Sequence, residues 1–436
     1  MADIRPFCGI RYDQSMIGNP ASVICPPYDI ITTPMRHELY QISEYNFVRL
    51  EDGWGSPEDT AADSKYTRAA ATMEHWLAQG ILKADAVPAI YLHDHYFKYQ
   101  GQEYRRRGII ARVRLEEPGE MVVRRHEGTL AEPKDDRLSL LWALQANTSP
   151  ILALFEDHQQ QVAPLLAAQE KVEPEIDCNT ADGERHQVRA ITEAVVIDRL
   201  NHSPANRALY IADGHHRYES ALIYRQQRGA CSPSVSGDEM FNFVMMTLVD
   251  FADPGLVVLP PHRLIRGVSR ARLSGLMAGL GAFFSVEALP LATPDIWKQV
   301  DRFLGMVTDE VRLVLFGEDS ENLYLLKLSD PAAASRMMPY FHSELYKKLA
   351  VSVVDHVVLE ELLGLSGGAD EAVGYCYDKA DAVQKVLDRE YQLAFLLSPT
   401  RAEVVKAIAD AGDRMPRKST YFYPKAPAGL VFNRLV

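Results

Sequence analysis

"RALYIADGHHRYESALIYRQQR" (residues 207–228) decides how the chain is read. Its apolar opening, 207–212, reads as a strand, Asp213-Gly214 breaks it, and 218–228 carries helical spacing. A strand delivered through a short turn into a helix is the repeating unit of an α/β fold. The turn is also chemically rich. The first N–H groups of a helix lack intrahelical partners, and the helix dipole makes that end attractive to anions. Gly214 lets the backbone approach a phosphate closely. Arg217 has the fork that matches phosphate oxygens, and His215 and His216 add donors. Asp213 suits a magnesium ion or the orientation of a histidine. Asp-Gly ahead of a helix is also an ordinary turn and N-cap. The clustering of four such side chains at one strand end favours phosphate binding.

Outward from this turn, 89–115 alternates apolar and polar residues around Gln100-Gly101 and predicts a long hairpin. Pro118-Gly119 predicts the next turn, and Asp182-Gly183 a second hairpin. A helix is expected from Pro133 onward, with strands at 150–157 and 241–251. Beyond about 265 the texture changes. Helices are expected at 269–282, 292–304, 341–363 (broken), 379–390 and 400–411, and strands at 311–316, 322–328, 391–397 and 429–435. The fold class is therefore α/β (α+β), with a first domain over 1–265 and a smaller α/β domain over 266–436. The Pro- and Gly-punctuated residues before 88 are expected to wrap the first domain.

The 436 residues are enough for two or three cores, and the net charge of −13 disfavours loose binding to nucleic acid. The cysteines Cys8, Cys25, Cys178, Cys231 and Cys376 form no C-x-x-C pair, which suggests reduced thiols. "MADIRPFCGIRYD" shows no apolar run behind a basic start, so no signal peptide is expected, and no stretch is long and apolar enough to span a membrane. A cytoplasmic protein is expected.

Two further polar clusters stand out. "RRHEGTLAEPKDDR" (124–137) links a strand to a helix, where functional residues concentrate. Glu127 beside His126 suits a general base, and Lys134 a phosphate contact. "RMPRKSTYFYPKAP" (414–427) combines a rigid loop with hydroxyls at Ser419 and Thr420. His93 and His95 form an H-x-H, read either as a metal pair or as two polar positions of a half-exposed strand. No H-E-x-x-H or Cys/His ligand spacing accompanies them.

"HEGT", "YIADGHHRYE" and "MPRKSTYFYPK" follow the order of related motifs in the archaeal ADP-dependent free-serine kinases. "IRPFCGIRYD", "CPPYDII" and "YNFVRLE" resemble the N-terminal signature of a widespread bacterial family with a ParB/sulfiredoxin-like fold. The resemblance implies a nucleotide-dependent kinase that phosphorylates a small hydroxylated metabolite, with free L-serine as acceptor. Glu127 would take the hydroxyl proton, and Asp213 would assist at Mg²⁺ or substrate. Gly214, His215, His216 and Arg217 would hold the phosphates of ATP or ADP, with Lys134 added by inference. His126, Thr129, Lys418, Ser419 and Thr420 would bind substrate. The chain has Tyr421-Phe422 where those enzymes have Arg-His. A non-catalytic nucleotide-binding regulator and an NTP hydrolase or phosphatase remain open as alternatives. Sulfiredoxin chemistry is disfavoured, because His215 stands where those proteins carry cysteine. The acidic balance argues against a DNA-binding role of the ParB type.

Overall fold

The computed structural model describes residues 2–116, 119–129, 131–157, 160–202, 208–231, 236–306, 310–365 and 371–436. Pro118, which opens an expected turn, and Arg207, which opens an expected strand, lie outside the described residues. The chain is mixed α/β and divides into two compact units. The first comprises 1–125, 129–257 and 424–436, and the second 126–128 and 258–423. The divide falls ahead of 265 because His262–Ile265 pairs with Leu393–Leu397 and Val373–Cys376, in the sheet of the second unit.

The first unit is built on a nine-stranded mixed sheet. Its order runs Val123–Arg124, Leu209–Asp213, Ile151–Phe155, Phe243–Asp250, Gln102–Arg114, Ile90–Tyr99, Arg185–Ile191, Ile176–Asn179, with Ile4–Arg5 also on Gln102–Arg114. The two predicted hairpins are present. Gln100 and Gly101 both take positive φ, as a tight two-residue hairpin turn requires. Because side chains alternate across a strand, the sheet has two apolar faces. Ile90, Leu92, Ile109, Ala111, Met246 and Leu248 fill one face, together with Tyr218, Ala221 and Tyr224 of the helix His215–Cys231. Tyr91, Ile110, Val188 and Met245 fill the other. That second face is covered by the N-terminal segment through Phe47, Leu50, Met73 and Trp76 and by Phe432 from the C-terminus. The residues before 88 thus supply about half of the buried residues on that second face.

The second unit carries a six-stranded sheet in the order Phe284–Pro290, Asn322–Leu328, Arg312–Phe316, Leu393–Leu397, His262–Ile265, Val373–Cys376. Every pair in it is antiparallel. Alternating helices and strands did not produce a parallel sheet here, which makes this unit α+β in character. The broken helix expected at 341–363 resolves into Glu344–Lys347, Ala350–Val353 and wider π-type turns over Val354–Leu362. The strand expected at 429–435 shrinks to Asn433–Arg434, paired with Ala146–Asn147 in the first unit. Among the described residues no helix is long and apolar enough to cross a membrane.

Candidate functional site

In the first unit, the Leu209–Asp213 strand ends directly at the helix His215–Cys231. Gly214 joins them at φ 93°. That φ favours glycine, and a Cβ there would lie 3.0 Å from the Arg217 guanidinium and crowd it. The helix starts earlier than its apolar spacing suggests, and His215, His216 and Arg217 form its first turn. His215 is buried and His216 half-buried.

Asp213 is the centre of a closed charge network. Helical spacing carries Arg217 back over it, and Arg217 Nη2 donates to Asp213 Oδ2 at 2.7 Å. Arg217 Nη1 donates to Ser149 Oγ at 3.0 Å and to the Pro150 carbonyl at 2.6 Å. Lys425 Nζ donates to Asp213 Oδ1 and lies 3.3 Å from Asp29 Oδ2. Ser149 Oγ in turn donates to the wholly buried Glu51, at 3.0 Å. Arg137 donates to the Glu51 carbonyl at 2.9 Å and covers the Tyr28 ring at 4.0 Å. Burial by itself pushes the Asp213 carboxyl up, but Lys425 and Arg217 outweigh it and hold the group well below the usual carboxylate range. Burial lowers Lys425, and Asp213 and Asp29 outweigh that in turn, holding it above the usual lysine range.

Two sequence expectations change here. Both Nη atoms of Arg217 are engaged by protein groups, so it braces the turn instead of presenting an open fork to phosphate. Asp213 already faces two cations. A divalent ion at the same carboxylate would meet their repulsion, and these residues do not fit Mg²⁺ at Asp213.

The next turn of the helix gathers the other first-unit candidates. Glu219 accepts from Arg125 Nη1 at 2.8 Å and from Thr129 Oγ1, and Lys134 Nζ lies 3.7 Å away. Lys134 and Thr129 are therefore partners of Glu219.

The remaining candidates lie in the second unit. His126 and Glu127 lie beside the loop around 415–420: the His126 carbonyl accepts from Met415 N at 2.7 Å, and Glu127 bridges to Met415. Glu127 Oε1 accepts the Lys418 backbone N–H at 3.0 Å. His126 is fully buried, with Nε2 3.2 Å from Thr420 Oγ1. Arg263, also fully buried, donates to the Lys418 and Pro261 carbonyls, each at 2.8 Å, and pairs with Asp355 at 3.1 Å. It fixes the backbone that Glu127 reads. Ser419 departs from its expected role: it is fully buried and its hydroxyl donates to the Pro416 carbonyl at 2.5 Å, closing its own loop. The Lys418 side chain is exposed.

Sequence reasoning missed Asp29, Glu51, Ser149, Glu219 and Lys425 in the first unit and Arg263 and Asp355 in the second. A signal existed for four of them. Asp29 lies in "CPPYDII", Glu51 in "YNFVRLE", Glu219 in "YIADGHHRYE" and Lys425 at the end of "MPRKSTYFYPK".

No curated relative matches the chain. Among solved structures it is similar to a free serine kinase in complex with AMP, at 13% identity and TM-score 0.35, over 70% of this chain and 86% of that one. It is also similar to a conserved hypothetical protein from Pyrococcus furiosus, at 14% identity and TM-score 0.34, over 71% of this chain and 92% of that one. A third likeness is to SbnI with a C-terminal truncation from Staphylococcus aureus, at 10% identity and TM-score 0.30, over 73% and 84%. The family described as "Protein of unknown function (DUF1015)" matches residues 4–352, most of the sequence, and the chain belongs to that family.

Proposed function

We propose that the protein is a cytoplasmic, nucleotide-dependent kinase of a small hydroxylated metabolite, with free L-serine as acceptor and ATP or ADP as donor. The observation that carries the reading is the charge network at the strand end. Lys425, Arg217 and the first turn of a long helix converge on Asp213. Phosphoryl transfer depends on positioning and charge neutralisation, and a preformed cationic turn supplies both without reorganisation. In this reading the helix start, Gly214, His215 and His216 bind the phosphates, and Lys425, held at Asp213, adds positive charge beside them. Glu127 takes the hydroxyl proton of the acceptor, a role that rests on the motif resemblance, as do the substrate contacts of His126 and Thr420. The ParB/sulfiredoxin-like assignment of the first unit rests on the same motifs. Mg²⁺ is expected to come with the nucleotide phosphates, not through Asp213.

The test is calorimetric titration of the full chain with ADP and with ATP, followed by turnover with a panel of amino acids and hydroxylated metabolites. The expected result is nucleotide binding together with acceptor-dependent production of a phosphate ester. Glu127→Gln should spare binding and lower transfer by about a hundredfold or more. Binding without turnover on any acceptor would overturn the kinase in favour of a regulatory module, and steady hydrolysis without acceptor would favour an NTP hydrolase.

A further inference from the structure

Far from the helix start in sequence, the first unit carries a second group of functional side chains. The strands Ile90–Tyr99 and Arg185–Ile191 run antiparallel, with His95 opposite His186 and His93 opposite Val188. Side chains two apart on a strand share a face. His93, His95, Glu184 and His186 therefore project together, and the three histidines are buried. This differs from the half-exposed strand that the H-x-H spacing left open. Glu184 Oε2 lies 2.6 Å from His95 Nε2 and 3.8 Å from His186 Nε2. The ring centroids of His95 and His186 are 4.2 Å apart. Glu184 is part-exposed, which gives an approach from solvent.

We propose that His95 Nε2, His186 Nε2 and Glu184 Oε2 form a binding site for a divalent transition-metal ion of the zinc class. The three donor atoms lie within 4.8 Å of one another, and no other such group of histidine, cysteine or carboxylate ligands occurs among the described residues. Two imidazole nitrogens and one carboxylate oxygen are the donor set of borderline metals such as Zn²⁺, Co²⁺ and Ni²⁺, and not of Mg²⁺ or Ca²⁺, which take oxygen. Three protein ligands leave a coordination position for solvent.

The surroundings supply what a metal's outer partners supply. His93 Nε2 lies 3.2 Å from His186 Nδ1, so His186 can donate from Nδ1 and keep Nε2 free for the ion. Burial holds the three imidazoles below their usual range, so the two ligand rings, His95 and His186, are neutral at neutral pH. Arg106 Nη2 sits 3.1 Å from His95 Nδ1. A guanidinium only donates, so His95 Nδ1 accepts and the neutral ring carries its proton on Nε2, towards Glu184. Binding of the ion at Nε2 therefore moves the ring proton from Nε2 to Nδ1 and turns the Arg106 Nη2 donor away from Nδ1, so that His95 stays a neutral ligand. Arg106 Nη2 also donates to the Pro424 carbonyl at 2.7 Å, one residue before Lys425. The site's outer shell thus reaches the segment that neutralises Asp213.

The test uses the full chain, stripped with a chelator and titrated with Co²⁺ while visible absorption is followed. The expected result is one Co²⁺ per chain, ligand-field bands, and displacement by Zn²⁺. Glu184→Gln and His186→Gln should each weaken Co²⁺ binding at least tenfold, and His37→Ala, at an exposed histidine, should leave it unchanged. If the stripped wild-type chain, with its native circular dichroism, shows no saturable Co²⁺ absorption, the proposal fails. It fails equally if one-equivalent binding survives both substitutions. The wild-type titration decides the matter even if a variant does not fold.

Discussion

Asp213 and Glu127 are both carboxylates in short turns, and the fold treats them in opposite ways. Asp213 is held between Lys425 and Arg217, with Ser149, Glu51 and Asp29 completing the circuit. Glu127 is half-buried and accepts the backbone N–H of Lys418, while Arg263 fixes the carbonyl of that same residue. The difference teaches how each unit stabilises its polar residues. A carboxylate removed from water must be matched by opposite charge, or the desolvation cost exceeds what the pair returns. A carboxylate left partly in water needs only orientation. The first arrangement ties a carboxylate to two side-chain cations and is pH-sensitive, and the second ties it to the backbone.

The largest effect that would break this contrast is expected at Lys425. Lys425→Met leaves the part-buried Asp213 with one cation fewer, and should lower unfolding free energy by about 2–3 kcal/mol, read from urea denaturation. Adding Asp213→Asn should recover a good part of that loss. A single-variant cost below about 1 kcal/mol would show that the circuit is not closed. Next comes Arg263→Lys, expected to cost about 2–3 kcal/mol, because lysine cannot span two carbonyls and Asp355 at once. Thermal melts of the variant decide this, and a wild-type melting profile would remove Arg263 as the anchor of the loop.

The pH dependence is gentler and separates Asp213 from its partner Lys425 by sign. The folded-state pKa of Asp213 lies below its unfolded value. Its contribution is therefore present above the ordinary aspartate range near about pH 4, and is lost as pH falls towards the folded value. Lys425 is raised, so its contribution is fully present below the ordinary lysine range near about pH 10 and is lost only as pH rises through the folded value. Denaturation followed from pH 7 down to pH 3 should show a loss of stability that Asp213→Asn flattens, and an unchanged slope would contradict the assignment. The smallest effect is expected at Glu127. Glu127→Gln should shift stability by no more than about 0.5 kcal/mol, since the amide oxygen still accepts the Lys418 N–H. A cost above 2 kcal/mol would make Glu127 a structural residue.

Much of this contrast was legible beforehand. The strand-turn-helix at 209–231 showed in its spacing, and the hairpin at 90–114 showed in its alternation and its Gln100-Gly101 turn. The antiparallel order of the second unit did not show, because helix and strand alternation fixes neither strand direction nor neighbour. Arg217 was read as a phosphate fork from its type alone. Its helical position, four residues after Asp213, already contained the alternative that the structure adopts. The resemblance gives Ser419 as a substrate-binding hydroxyl, and nothing local signals that its loop buries it.

The sequence by itself determined the main local elements and the stretches in which polar residues concentrate. These follow from backbone sterics and side-chain periodicity, which act over a few residues. Only the tertiary structure decided which charges meet. Asp29, Glu51, Ser149, Asp213 and Lys425 come from five distant segments, and His95 meets His186 through strand pairing. Such contacts depend on how the two faces of a sheet are buried, and burial turns a polar residue into one that must find a partner.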